Sequence, residues 1–284
     1  MQGKAQNLAL RAQRHQRHCT VPGIFAKPWH GPCLARLSLP LLCHTGGNML
    51  PATLKPLALA LLAALPLLAQ AQLSGNIGLT SNYKGRGQDQ DTAKTRAVKP
   101  ALQGGLDYAF GTTGFYLGNW NSTVHWLPGN AIETDLYGGY KFKVGEVDLD
   151  AGLMTYIYPG NSLGNTTEAY GAASFGPVSV KYSHTLSRDY FNYAGPGLKG
   201  RNTGYLNLAL AQEVAPRITL KAALGFTRFG GVISSPDYVD YSLGGSYDLG
   251  SGLALGAALV GANKKAFYGS ANQSRVIVSL SKAL

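Results

Sequence analysis

The stretch Val147-Asp-Leu-Asp-Ala-Gly-Leu-Met-Thr-Tyr-Ile157 decides the fold. Val147, Leu149, Ala151, Leu153 and Ile157 share one parity, and Asp148, Asp150, Gly152 and Met154 share the other. A period of two gives a strand with one apolar and one polar face. Residues 218–227 repeat the pattern, with Ile218, Leu220, Ala222, Leu224 and Phe226 set against Thr219, Lys221 and Thr227. Arg or Lys on the lipid face of a membrane barrel costs roughly 2–4 kcal/mol at the bilayer midplane. The apolar parity is therefore expected to meet acyl chains, and the polar parity a lumen.

Working outward, residues 72–284 divide into twelve such runs: 75–84, 101–108, 115–124, 132–142, 147–158, 168–175, 178–186, 204–212, 218–227, 238–248, 253–262 and 274–281. The connections between them alternate long and short. Gly111-Thr-Thr-Gly114, Val144-Gly145, Gly176-Pro177, Ala215-Pro216 and Gly250-Ser-Gly252 supply the short ones. An even number of strands with short turns at one end and long loops at the other is the pattern of an outer-membrane barrel with both termini on the turn side. A β-sandwich also spaces short strands regularly, but it does not require loop length to alternate. The expected fold is all-β: a transmembrane antiparallel up-and-down barrel of about twelve strands. Tyr83, Tyr140, Tyr182 and Tyr247 fall toward strand ends on the lipid parity, the position of an interfacial aromatic girdle. Strand propensity alone also favours tyrosine there.

Composition supports two different populations in the 284 residues. All three cysteines (Cys19, Cys33, Cys43), four of the six histidines and six of the 25 Lys and Arg precede Met49, with no Asp or Glu among them. Lys55 is the seventh base, so the formal charge of +11 shrinks to an excess of four over residues 72–284. That is no argument for nucleic-acid binding. Without cysteine, this part holds no disulfide framework and no thiolate metal site. Residues 49–71 read as a secretory signal: Lys55 as the basic segment, residues 57–68 as the apolar core, and Ala69-Gln-Ala71 as the cleavage site. Twelve apolar residues interrupted by Pro66 are too few to span ~30 Å of hydrocarbon. Residues 1–48 read as a disordered, mis-assigned extension upstream of a natural start at Met49; a transit peptide is the rival reading.

Several blocks carry a resemblance: Ser81-Asn-Tyr-Lys-Gly-Arg-Gly87, Gln103-Gly-Gly-Leu-Asp-Tyr108, Gly114-Phe-Tyr-Leu-Gly-Asn-Trp-Asn-Ser122, Glu133-Thr-Asp-Leu-Tyr-Gly-Gly-Tyr140 and Tyr156-Ile-Tyr-Pro-Gly160. Together they resemble the TorF family of bacterial porins, a family also catalogued as conserved and of unknown function. The resemblance covers most of the exported chain. It implies an outer-membrane barrel acting as a porin, and it brings no catalytic residue with it.

Asp107, Asp135, Lys141, Asp150, Lys181, Lys221 and Arg275 are the candidate lumen-lining residues, with Glu133, Asp148 and Asp240 on the same parity. Opposed charges across a pore set up a transverse field that orders water and selects polar solutes; salt bridges filling a narrow lumen are the alternative. Ala254, Gly256 and Ala258 leave room on one wall. The expected function is passive diffusion of small hydrophilic solutes, with outer-membrane lipid and lipopolysaccharide around the barrel, homo-oligomers open, and no cofactor. A non-conducting barrel with a structural or surface-binding role is the alternative. Arg86, Lys94, Arg96 and Lys99 concentrate base in the first long loop, which reads as solvated, or else as contacting lipopolysaccharide or guiding anions. A hydrolase would need a serine beside His184, and Ser183 and Ser187 are the nearby hydroxyls, with no nucleophile elbow around them. The sequence leaves open whether residues 188–202 fold inward as a plug.

Overall fold

The computed structural model describes residues 72–92, 98–195 and 197–284. The signal-like segment, the upstream extension, Lys94 and Arg96 lie outside the described residues.

Twelve antiparallel strands close into a barrel: β1 (Gln72–Thr80), β4 (Ala101–Ala109), β5 (Phe115–Thr123), β6 (Ile132–Val144), β7 (Val147–Ile157), β8 (Thr166–Phe175), β9 (Val178–Thr185), β10 (Gly204–Ala215), β11 (Ile218–Arg228), β12 (Tyr238–Gly250), β13 (Leu253–Ala262) and β14 (Arg275–Ala283). Every strand pairs with its sequence neighbour, and β1 closes on β14 through Leu79 opposite Leu280 and Asn76 opposite Ala283. Closure leaves no edge strand, the condition for crossing hydrocarbon without unpaired backbone groups. A separate two-stranded hairpin, β2 (Lys84–Gly85) and β3 (Gln88–Asp89), lies between β1 and β4. The described helix is limited to short turns such as Lys265–Tyr268.

The alternation fixes which face is which. In β11, Ile218, Leu220, Leu224 and Phe226 are all exposed large hydrophobics, and Thr227 on the other parity is buried. In β14, Val276, Val278 and Leu280 point outward in the same way, as do Leu73, Ile77 and Leu79 in β1. The interior is the reverse of a soluble core: Glu133, Asp135, Glu168 and Asp240 are buried in it. The short turns follow from local chemistry. In the turns after Val144 and Phe175, the left-handed first position falls on Gly145 (φ 60°) and Gly176 (φ 55°), where a Cβ would be strained.

The first strand departs from the expected 75–84 span. It begins at Gln72 and leaves the wall after Thr80, because the chain then turns into the lumen to form the hairpin. Tyr83 is therefore not part of an outer girdle. Its phenol donates to Glu133 Oε1 at 2.8 Å, and its ring meets Trp120 edge-on at 5.4 Å, both on the inner side. Tyr140, Tyr182 and Tyr247 are exposed on the outer face.

Candidate functional site: a constricted, aromatic-lined lumen

Site geometry begins with the hairpin tip. Arg86 (φ 47°) and Gly87 (φ 75°) occupy the two central positions of a two-residue turn between Gly85 and Gln88. Two successive left-handed residues define the tight turn that suits a twisted hairpin, and the second position favours glycine. Here glycine is also required by space: a Cβ on Gly87 would lie 2.5 Å from Asp240 Cβ and 2.6 Å from the Gly261 carbonyl. The hairpin is thus pressed against β12 and β13, and its tip side chain is directed across the lumen.

Arg86 reaches the far wall. Its two terminal nitrogens donate to Glu168 at 3.0 and 2.6 Å, a bidentate pair to β8. Tyr190 and Tyr156 phenols accept from the same guanidinium at 2.8 and 3.2 Å. Its carbon lies 4.2 Å from the centre of the Tyr205 ring, with Tyr156, Tyr190 and Phe191 also within cation–π range. Glu168 is 1 % exposed. A buried charge of this kind needs its partner, because desolvation is otherwise uncompensated.

The rest of the first long loop is anchored the same way. Lys99 Nζ sits 3.0 Å from Asp89 Oδ2, and Arg275 Nε lies 3.4 Å from the same oxygen. Lys84 Nζ donates to the Ala271 carbonyl at 2.6 Å and to that of Gly87 at 3.0 Å. Burial pushes the Lys84 ammonium down to about 8 against an opposing pull from Asp89. The expectation of a solvated basic loop is therefore corrected for Arg86 and Lys99: both are folded inward and neutralised by carboxylates. Sequence alone showed no sign of this, because their partners are Glu168, 82 residues away, and Asp89, ten residues away in the hairpin.

The described residues of the 188–202 loop close over the tip, and Tyr190 and Phe191 help to cage Arg86. Asp189 accepts from the backbone amides of Tyr190, Ala194 and Gly195 at 2.7, 3.0 and 3.2 Å, which fixes a compact loop. Tyr190 meets Phe229 edge-on and Tyr193 meets it at a tilt, and Tyr193 reaches Tyr268. An aromatic layer thereby ties three of the long loops together at one end of the barrel.

Phenols hold most of the inward carboxylates. Tyr137 donates to Asp107 at 2.6 Å, Tyr116 to Asp150 at 2.7 Å, Tyr158 to Glu133 at 2.6 Å, and Tyr205 to Asp240 at 3.2 Å. Burial, with Glu133 beside it, keeps the Tyr158 phenol well above its ordinary range, so it remains a donor. Among the sequence candidates, Asp135 and Lys181 line a cavity of about 790 Å³ together with Arg86. Lys181 Nζ sits 3.9 Å over the Tyr170 ring and Lys141 Nζ 4.6 Å over Tyr116. Asp148 pairs instead with Lys143 in an exposed bridge at 3.4 Å. Lys221 is exposed and lies opposite Gly244 and Ala211 in the ladder. Glu168 and the lumen tyrosines were missed from sequence, and Arg86 was read only as a base of the long loop. Tyrosine on the polar parity, as at Tyr116, Tyr137 and Tyr156, was the available signal.

His184 Nδ1 faces the Tyr182 hydroxyl at 3.2 Å. Ser183 lies on the opposite face and is buried, and Ser187 donates to the Asp189 carbonyl, so neither hydroxyl is presented to the imidazole. Among the described residues no cluster of His, Cys, Asp and Glu has the arrangement of a metal site.

Solved structures of similar fold include the KdgM porin (11 % identity, 74 % of this chain and 98 % of that chain, TM-score 0.49) and the NanC porin (10 %, 75 % and 98 %, 0.48). An outer-membrane channel from Pseudomonas putida F1 also matches, at 11 % identity, 75 % and 95 % coverage and a TM-score of 0.41. No curated protein matches. A family model matches residues 68–283, which takes in all twelve barrel strands, and on that match the chain belongs to the Gcw_chp family of bacterial proteins of unknown function.

Proposed function

We propose that this protein is an outer-membrane porin through which small hydrophilic solutes diffuse passively, with Arg86 setting the narrowest passage. The observation that carries the reading is the polarity of the closed barrel: apolar outside, charged and phenolic inside, around a cavity of about 790 Å³. A closed sheet with this inverted polarity is stable in a bilayer and wasteful in water. That apolar exterior supports an outer-membrane location with lipid or lipopolysaccharide around the barrel. The resemblance to TorF porins points the same way.

In this reading Asp107, Asp135, Lys141, Asp150, Lys181, Lys221 and Arg275 shape the field that a solute crosses. On the same reading the small side chains at Ala254, Gly256 and Ala258 leave room along β13, so that the passage runs beside the tyrosine-rich wall. The hairpin bridge to Glu168 favours a second reading, a barrel held shut with a structural role. Swelling of proteoliposomes in solutes of graded size separates the two. A size-dependent influx supports the porin, and swelling no faster than protein-free vesicles supports the closed barrel.

A further inference from the structure

The carboxylate of Asp135 stands apart from its neighbours. Each of Asp107, Asp150, Glu133, Glu168 and Asp240 accepts from a tyrosine, and Glu168 also holds Arg86. Asp135 is 6 % exposed, lines the cavity, and its Oδ1 has no hydrogen-bond donor. Its surroundings are aromatic on both sides. Trp120 is its ladder partner on β5 and Tyr156 its partner on β7, all three on the inward parity. Tyr137 follows two residues along the same face, and Tyr83 meets Trp120 edge-on. Glu133 precedes Asp135 on that face, with its two oxygens taken by Tyr83 and Tyr158.

We propose that Asp135, caged by Trp120, Tyr156 and Tyr137, is a binding site for an organic cation, an ammonium or guanidinium of small size. Ring faces attract cations through their quadrupole, most strongly for Trp and when water is excluded. A buried carboxylate oxygen without a donor gains what it lacks from an N–H of such a cation. The protein itself demonstrates the chemistry in the same cavity. Arg86 lies within cation–π range of Tyr156, in a cage of phenols closed by Glu168, and Tyr156 is shared between the two sites. A neutral sugar would use the rings but leave the carboxylate without a charge partner. An anion would face Asp135 and Glu133 together, and Arg86 in the same cavity already has Glu168 as its partner. An inorganic cation such as K⁺ gains little from three ring faces in exchange for its hydration shell.

This inference deepens the porin reading by naming the class of solute its cavity holds, and it is tested without requiring conduction. Detergent-refolded protein is titrated with methylguanidinium and tetramethylammonium, and with KCl, glucose and galacturonate at matched ionic strength. Tryptophan fluorescence and calorimetry are the readouts. The expected result is saturable binding of an organic cation, weakened at least tenfold in Asp135→Asn and in Trp120→Leu, with the melting temperature of Asp135→Asn not lowered. Equal response to KCl, saturation by glucose or galacturonate instead, or unchanged affinity in Asp135→Asn would each overturn it. If Trp120→Leu does not refold, Tyr137→Leu reads the same cage. Binding without any solute flux would sink the porin reading and leave the site standing. Flux without cation binding would do the reverse.

Discussion

At the scale of single residues, Arg86 and Gly87 carry most of the consequence. Removing one partner of a buried, hydrogen-bonded ion pair costs about 3–5 kcal/mol because the other charge is left without compensation. Arg86→Ala is expected to release the hairpin tip from Glu168, which is nearly inaccessible. Loop 81–100 should then be cleaved faster by added protease, while the barrel itself stays resistant. Arg86→Ala with Glu168→Gln should recover part of the loss, since the double change leaves no lone buried charge. Gly87→Ala has a different cause and the same direction. A methyl group 2.5 Å from Asp240 Cβ, on a residue held at φ 75°, cannot fit without lifting the hairpin from β12 and β13. Protease sensitivity confined to the hairpin, with unchanged heat-shifted migration of the barrel, is the expected readout.

At the scale of elements, the hairpin should respond to pH through Lys84. Its ammonium is pushed down to about 8 by burial, with Asp89 opposing and Arg275, Lys99 and Lys265 adding to the depression. A lowered lysine pKa means the seated hairpin binds the proton less well than the released one. The seated form therefore gains stability as pH rises from about 8 toward the ordinary lysine value of 10.5, and carries the full cost below 8. Protease protection of the hairpin should rise between pH 7.5 and ~10, and Lys84→Met should flatten that rise. For the wall strands, Leu224→Lys places a charge on the exposed face of β11, between Leu208 and Tyr241 in the ladder. A loss of roughly 2–4 kcal/mol in denaturant unfolding from bilayers is expected if this position lies near the midplane, and much less for Thr219→Lys on the inward parity. Equal costs at the two positions would contradict the face assignment.

At the scale of the whole molecule, the barrel was legible because its determinants are local and repeated. Leu149, Leu153, Ile218 and Leu224 announce their parity without knowledge of any distant partner. Gly145 and Gly176 mark turns by backbone chemistry alone. The lumen was half legible. Asp135 and Lys181 could be put on the inner parity, but nothing local says that Tyr137 will hold Asp107 or that Tyr205 will hold Asp240, 35 residues on. The constriction was illegible for a physical reason. Asn82 and Lys84 continue a polar alternation that looks like strand, and it is the approach of Gly87 to Asp240 and of Arg86 to Glu168 that takes the chain off the wall after Thr80. Base in a long loop ordinarily marks solvent, and here Arg86 finds a carboxylate on another wall of the barrel and Lys99 one in the hairpin itself.

The central claim is a membrane-spanning cylinder whose passage is narrowed by Arg86 bound to Glu168. Single-channel recording of refolded protein in planar bilayers tests it most directly. Discrete current steps are expected for the native chain and larger steps for Arg86→Ala. No steps above the lipid background in either protein, or the same step size in both, would contradict it.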